Sequence, residues 1–233
     1  MDERLARRPD AIREMFGEIA PRYDLLNHLL SLRRDFGWRR KLVAALSNAP
    51  EGAVLDLATG TGDVALAIRG RAVVGGDFCL DMLAVAEGKA RRKQLAIGWT
   101  AADALALPFA DGSFAAVTIA FGVRNFSNLA AGFREIRRVL APTGVLAILE
   151  LHRPRSRAVA AAIGLWNRLV VTPLGDLISH DGGAYAYLPA SVDTFPDRVE
   201  MAGVLAGEGF SVVESGDLSC GIAALTVARR GKG

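Results

Sequence analysis

Residues 53–63, AVLDLATGTGD, constrain the fold of this chain more than any other stretch. An apolar run, Ala53–Leu57, carries Asp56 and opens into a loop of small residues, Ala58-Thr59-Gly60-Thr61-Gly62. This predicts a buried strand, a tight turn and then a helix from Asp63 to about Arg69. Glycines in such a turn let backbone N–H groups approach a ligand with no Cβ in the way. A carboxylate in the strand, just ahead of the turn, suits a cationic or hydroxyl-rich ligand better than a bare phosphate.

The pattern repeats along the chain. Strands are expected over Ala72–Asp77, Ile97–Ala101, Phe114–Ala120 and Val145–Leu151. Helices are expected over Asp81–Lys93 and Leu129–Leu140, and Ala141-Pro142-Thr143-Gly144 reads as a turn before the fifth strand. Such alternation gives a mostly parallel α/β sheet with helices on both faces. Ligands of such sheets sit outside the carboxyl ends of the strands.

Residues 1–50 read as a helical cover. Asp10 is placed to cap a helix over Ala11–Ile19 that Pro21 breaks, a second helix holds Leu25, Leu26, Leu29 and Leu30, and a third carries Trp38, Leu42, Val43 and Leu46. Residues 51–151 form the cofactor-binding core. Residues 152–196 interrupt the alternation with apolar, Gly-rich and Tyr-rich pieces, and read as a substrate-capping insertion. Residues 197–233 finish the sheet, with a helix near Asp197–Gly207, strands near Phe210–Glu214 and Ile222–Ala228, and one antiparallel strand. The whole is most simply one domain.

The polar residues at the strand ends form a set. Asp77 follows Gly60 by 17 positions and can accept bonds from two ribose hydroxyls; Asp103 follows the third strand and can accept from an exocyclic amine. Any one Asp at a strand end can instead be a helix cap or a turn residue. Gly60-x-Gly62-x-x-Ala65 also fits a dinucleotide fingerprint. A nicotinamide enzyme, however, would not require Asp56 or Asp103, whereas S-adenosylmethionine uses every acid.

Composition closes other routes. Two cysteines, Cys79 and Cys220, with no CxxC, speak against a disulfide framework and a zinc site, and no metal is expected. The N-terminal MDERLARRPD lacks an apolar signal-peptide core, so a cytoplasmic location is expected. A net charge of +3 is mild; it fits a solvated face or transient contact with an anionic membrane, and no nucleic-acid partner is expected. The apolar stretch Ala158–Val171 is too short to span a bilayer and reads as a core helix, a lid or an interfacial helix.

Longer segments carry a resemblance. Residues 53–63 resemble motif I of the class I S-adenosylmethionine-dependent methyltransferases. Tyr23-Asp24-Leu25-Leu26-Asn27, with Ser31 and Trp38, is similar to the N-terminal element of the UbiE/COQ5 family of quinone C-methyltransferases. So are Phe121-Gly122-Val123-Arg124-Asn125, the turn Arg138–Gly144, Leu149-Glu150, the segment Ala184-Tyr185-Ala186-Tyr187-Leu188 with Ser191 and Phe195-Pro196, and Gly221–Leu225. The departures are Asp35, where the family usually has His, His152 in place of Ser or Thr, Thr226 in place of His, and Ala120 in place of Ser.

The resemblance implies a Rossmann-like fold and an enzyme that methylates demethylmenaquinol to menaquinol, or the benzoquinol of ubiquinone synthesis. It implies an isoprenoid quinol as substrate and leaves the oligomeric state open. Asp56, Gly60, Thr61, Gly62, Asp77, Asp103, Ala104 and Ala120 then surround the cofactor. Arg124 stabilises a phenolate, Asn125 orients the ring oxygen, and Tyr23 and Tyr185 form the aromatic wall or bond the ring oxygens. Arg124 stays protonated at neutral pH, so its part is electrostatic. His180 is a further candidate base. A nicotinamide oxidoreductase and a non-enzymatic S-adenosylmethionine-binding module remain as readings of the glycine loop alone.

Overall fold

The computed structural model describes residues 9–154, 156–171 and 190–231. His180, Tyr185 and Tyr187 lie outside the described residues. Seven strands form one sheet: β1 Val54–Leu57, β2 Val73–Asp77, β3 Gly98–Ala101, β4 Phe114–Ala120, β5 Leu140–Leu151, β6 Phe210–Leu218 and β7 Ala223–Arg230, in the order β3-β2-β1-β4-β5-β7-β6. β1 to β5 pair in parallel, and β7 runs antiparallel to both β5 and β6, as the sequence predicts. β1 and β4 are adjacent, with β2 and β3 leading away on one side and β5 on the other. The strand order therefore reverses between them.

The helices are α1 Pro9–Ile19, α2 Tyr23–Leu30, α3 Arg34–Ala44, α4 Leu80–Arg92, α5 Leu129–Val139, α6 Arg157–Trp166 and α7 Arg198–Gly207. Their starts are written in local chemistry. Asn128 accepts the Ala131 N–H ahead of α5 at 3.0 Å. Asp197 and Glu200 form a reciprocal capping box on α7, with three bonds of 2.7–3.0 Å. One face of the sheet packs Phe133 and Ile136 of α5 and Leu205 of α7. The other packs Trp38 and Leu42 of α3 with Val64 and Ile68.

Four expectations need correction. The helix expected from Asp63 to about Arg69 is a single 3-10 turn, Ala65–Ala67. Asp56 claims the Ala65 N–H, the Arg69 guanidinium binds the Leu66 and Ile68 carbonyls, and Ile68 is extended. Residues 141–144 lie within the bounds of β5. Leu140 pairs with Phe114, the register resumes at Val145 opposite Ala116, and Thr143 sits at φ 63° in the bulge between. On α2 only Leu26 of the expected apolar face is buried, while Leu25 and Leu29 are exposed. Finally, α6 and the π-turn Asn167–Val171 that continues it bury none of their described side chains, which excludes the core-helix reading for this part.

Trp99 on β3 pairs in register with Gly75 on β2, and its ring lies flat over that glycine. A Cβ on Gly75 would meet the indole at 2.3 Å and Thr59 Cγ2 at 3.2 Å. Gly75→Ala is therefore expected to destabilise the fold by about 1–3 kcal/mol in urea denaturation, the range for overpacking. Gly203→Ala on α7, where a Cβ meets nothing within 4 Å, should be neutral or stabilising by about 0.5–1 kcal/mol.

Candidate active site

At the carboxyl ends of β1 and β4 lies a small, partly open cleft. Three parts of the chain wall it. The glycine loop supplies Ala58 to Thr61, β4 supplies Ala120, and the helical cover supplies Tyr23 and Arg39.

The loop takes its shape from Asp56, which is 1% exposed. One carboxylate oxygen accepts the Thr118 hydroxyl at 2.7 Å. The other accepts the Thr59 hydroxyl at 2.6 Å and the Ala65 N–H at 3.1 Å. Burial pushes the Asp56 pKa up to about 6, although all three bonds oppose the shift. Asp56 thus lines the cleft floor, but its bonds go to the protein, and its work is to hold the loop.

Asp77 is buried at the end of β2 and accepts the Gly60 N–H at 2.7 Å and the Cys79 N–H at 2.9 Å. Burial raises its pKa against these backbone bonds. It joins the second strand to the loop of the first, 17 residues away in sequence. Gly62 is held by the protein on both sides. Its N–H goes to Thr59 O at 2.9 Å, its φ is 84°, and a Cβ there would meet Ala86 and Trp99 at 2.9 Å. Gly122 serves a second close approach, where a Cβ would stand 2.4 Å from the Ala58 methyl.

The cover is bolted to this loop by charge. Asp24 on α2 accepts the Thr61 hydroxyl and the Lys89 ammonium, the latter at 2.7 Å. Lys89 on α4 also reaches Asp63 at 2.5 Å. Arg39 on α3 binds Asp35 and stands 3.6 Å from Asp63. The departure at position 35 becomes intelligible here. Burial works against the Asp35 charge, but the Ser31 hydroxyl, Arg39 and His28 outweigh it and hold the pKa below the usual carboxylate value. Tyr23 closes the arrangement, its ring 3.7 Å from where a Gly60 Cβ would be.

Arg124 has a partner that the sequence reading did not include. It is buried, and its Nη1 binds Glu150 at 2.6 Å and the Phe121 carbonyl at 2.6 Å, while its N–H reaches Glu150 at 3.2 Å. Its charge is therefore largely compensated, and it anchors the Phe121–Asn125 turn to β5. Its field still reaches Tyr23. Burial raises the Tyr23 pKa, with Arg124 and Arg39 acting in the opposite sense, so the phenol is protonated at neutral pH and is a donor. Asn125 sits half-buried in the same turn.

Asp103 and Ala104 stand apart from the cleft lining. Asp103 is exposed and accepts its own turn's Leu105 N–H at 2.9 Å, and Ala104 is buried in the core. Burial lowers the pKa of His152, which packs against Phe195 with ring centroids 5.5 Å apart. Thr226 meets Ser215 across β6 and β7 at 3.3 Å, within the sheet. Sequence reasoning missed Arg39, Lys89 and the partnership of Glu150 with Arg124. Leu149-Glu150 was the available signal for Glu150; Lys89 offers none beyond its helical charge.

This architecture is that of the S-adenosylmethionine-dependent methyltransferases. A crystal structure of such an enzyme from Aquifex aeolicus shares the fold, with a TM-score of 0.60, 16% identity and coverage of 82% of this chain and 89% of the other. So does the [4+2]-cyclase SpnF, with a TM-score of 0.70, 16% identity and 96% of each chain covered. Residues 4–230 match the ubiE/COQ5 methyltransferase family, and the chain belongs to it. Among its relatives, a Thermus thermophilus demethylmenaquinone methyltransferase is 49% identical, covering 93% of this chain and all of the other. A Geotalea uraniireducens ubiquinone/menaquinone biosynthesis C-methyltransferase is 41% identical over 97% of this chain and 99% of the other. The chain is a methyltransferase, and the nicotinamide and non-enzymatic readings are set aside.

The raised pKa of Asp56 has a sign. A carboxyl that titrates near 6 when folded and near 3.8 when unfolded favours the fold fully below the lower value and loses that contribution as pH rises to the higher. About 3 kcal/mol should disappear between roughly pH 4 and 6. Urea denaturation across that range should show this loss in the native protein and its absence in Asp56→Asn.

Proposed function

We propose that this chain transfers a methyl group from S-adenosylmethionine to a ring carbon of demethylmenaquinol, giving menaquinol. The observation that carries the reading is full-length likeness to relatives named for that reaction. The corresponding benzoquinol methylation of ubiquinone synthesis is the second reading, favoured by the relative named for both pathways.

The donor set fits the cofactor. The Asp77 carboxylate accepts backbone N–H groups of Gly60, Cys79 and Phe78, and its two oxygens offer about four acceptor sites, which leaves capacity for a ribose hydroxyl. Gly60, Thr61 and Ala120 offer close-approach backbone along the cleft, and Arg39 offers a guanidinium to the amino-acid carboxylate. The Tyr23 ring over Gly60 offers a π-face to the sulfonium. Asp103 and Ala104 are assigned to the adenine edge, where the exposed Asp103 has room to accept its amine.

S-adenosylmethionine supplies an electrophilic methyl group when bound. The chain must then make a ring carbon nucleophilic. Loss of a proton from a quinol hydroxyl spreads the phenolate charge onto the ortho carbon. The protonated Tyr23 donates a hydrogen bond to that oxygen, and Arg124 stabilises it through its field while Glu150 fixes the guanidinium. Asn125 orients the second ring oxygen. Tyr185 keeps the wall role that the resemblance gives it. Positioning and fixed dipoles in a dry cleft carry the rate.

A long isoprenoid tail needs shelter. The apolar α6 buries no side chain, and we assign it to a lid over the tail; residues 172–188 of the expected lid lie outside the described residues. No described helix is long and apolar enough to cross a membrane. We assign the enzyme to the cytoplasm, peripheral at the inner face of the membrane, where a bilayer-borne quinol is within reach.

Mass spectrometry of a short-tail demethylmenaquinol incubated with S-adenosylmethionine should show one added methyl group. Arg124→Lys should lower turnover by about tenfold or more while cofactor affinity stays within about twofold. Near-normal turnover in Arg124→Ala would remove Arg124 from the reaction. Calorimetry should show Asp77→Asn weakening cofactor binding by roughly 10- to 100-fold.

A further inference from the structure

Among the exposed large apolar side chains, four crowd into residues 25–36: Leu25 at 67%, Leu29 at 47%, Leu32 at 59% and Phe36 at 41% exposure. Leu25 and Leu29 are one helical turn apart on α2, beside the buried Leu26. Leu32 sits at the tip between α2 and α3, with φ 51°. Phe36 stands one turn into α3, stacked on His28 at 4.3 Å and covered by the Arg33 guanidinium at 5.3 Å. The leucines at the tip are thus an apolar edge and not a face awaiting the core.

The charges around this edge have one sign. Arg22, Arg33, Arg34, Arg40 and Lys41 are exposed. The two acids of the hairpin are turned inward to partners, Asp24 to Lys89 and Asp35 to Arg39 and His28. An apolar edge on a hairpin whose exposed charges are all cations complements an anionic headgroup layer with acyl chains beneath it. It does not complement itself. A two-fold contact between copies would set the arginine fringe of one against that of the other.

We propose that the α2–α3 hairpin docks this enzyme on an anionic lipid bilayer. The proposal rests on the quinol reading for its purpose. The same two helices carry Tyr23 and Arg39 into the cleft wall, so docking sets the mouth of the cleft against the membrane. A tailed quinol then reaches the cleft with its tail still in lipid.

Vesicle flotation tests this with the intact protein. Vesicles of equal phosphatidylglycerol and phosphatidylcholine should carry the wild type, and pure phosphatidylcholine vesicles should not. Leu25→Asp/Leu29→Asp/Leu32→Asp should lower the bound fraction at least about tenfold. Arg33→Glu/Arg34→Glu should do so by a similar factor, and Glu is compatible with the first turn of α3. Val213→Asp, an exposed apolar site on β6, should change binding by less than about twofold. Turnover of a short-tail quinol in solution should be unchanged in these variants, while turnover of a long-tail quinol in vesicles should fall with binding. The proposal is overturned if the wild type does not float, if the triple Asp variant floats as well as the wild type, or if the hairpin changes abolish a dimer and not lipid binding. Hairpin-dependent flotation with no turnover of any quinol would leave the docking surface in place and strike the quinol reading instead.

Discussion

A carboxylate with almost no contact with water organises the centre of this protein. Asp56 lies in β1, between β2 and β4, and its three donors come from three directions: Thr118 from the neighbouring strand, Thr59 from the loop, and Ala65 from the turn beyond it. Leaving a group of this kind unsatisfied in the interior would cost several kcal/mol, so the loop can take only shapes that deliver those donors. That shape in turn presents the Gly60 N–H to Asp77. The second carboxylate is thereby held by a loop that the first has formed.

Around this centre charges are compensated by one buried pair and one part-buried cluster. Arg124 with Glu150 fastens the turn after β4 to β5, and Asp24, Lys89 and Asp63 fasten the cover to the loop and to α4. Such pairs add little net stability over apolar contacts of equal volume, but breaking one leaves a stranded charge. They therefore fix geometry. The sheet alone does not decide chemistry, since a cyclase shares it. What distinguishes this site is which side chains the cover brings down onto a common loop.

The strands were legible because their apolar runs are short, regularly spaced and punctuated by polar ends. The single antiparallel strand followed from the same pattern, whereas the strand order, with its switch between β1 and β4, came only from the structure. The helix after Gly62 was not legible, because the groups that cancel it, Asp56 and Arg69, act through side-chain bonds that no local propensity encodes. The leucines of α2 misled because periodicity identifies an apolar face without saying what covers it. Arg124 was found, but its compensation by Glu150 is a contact 26 residues apart in sequence. Gly62 was legible as a position without a side chain, but the groups that press on it, Ala86 and Trp99, come from distant elements. The tyrosine segment lies outside the described residues.

The near-contact of Gly122 with Ala58 joins two loops that leave neighbouring strands, and both loops adopt rare backbone conformations there. Ala58 has φ 53° and Phe121 has φ 61°. Neither position has spare volume, and neither loop can retreat without giving up its own hydrogen bonds. The two loops therefore hold each other in place. The spacing between the glycine loop and the turn that carries Arg124 and Asn125 is then set by the thickness of one methyl group against one bare α-carbon.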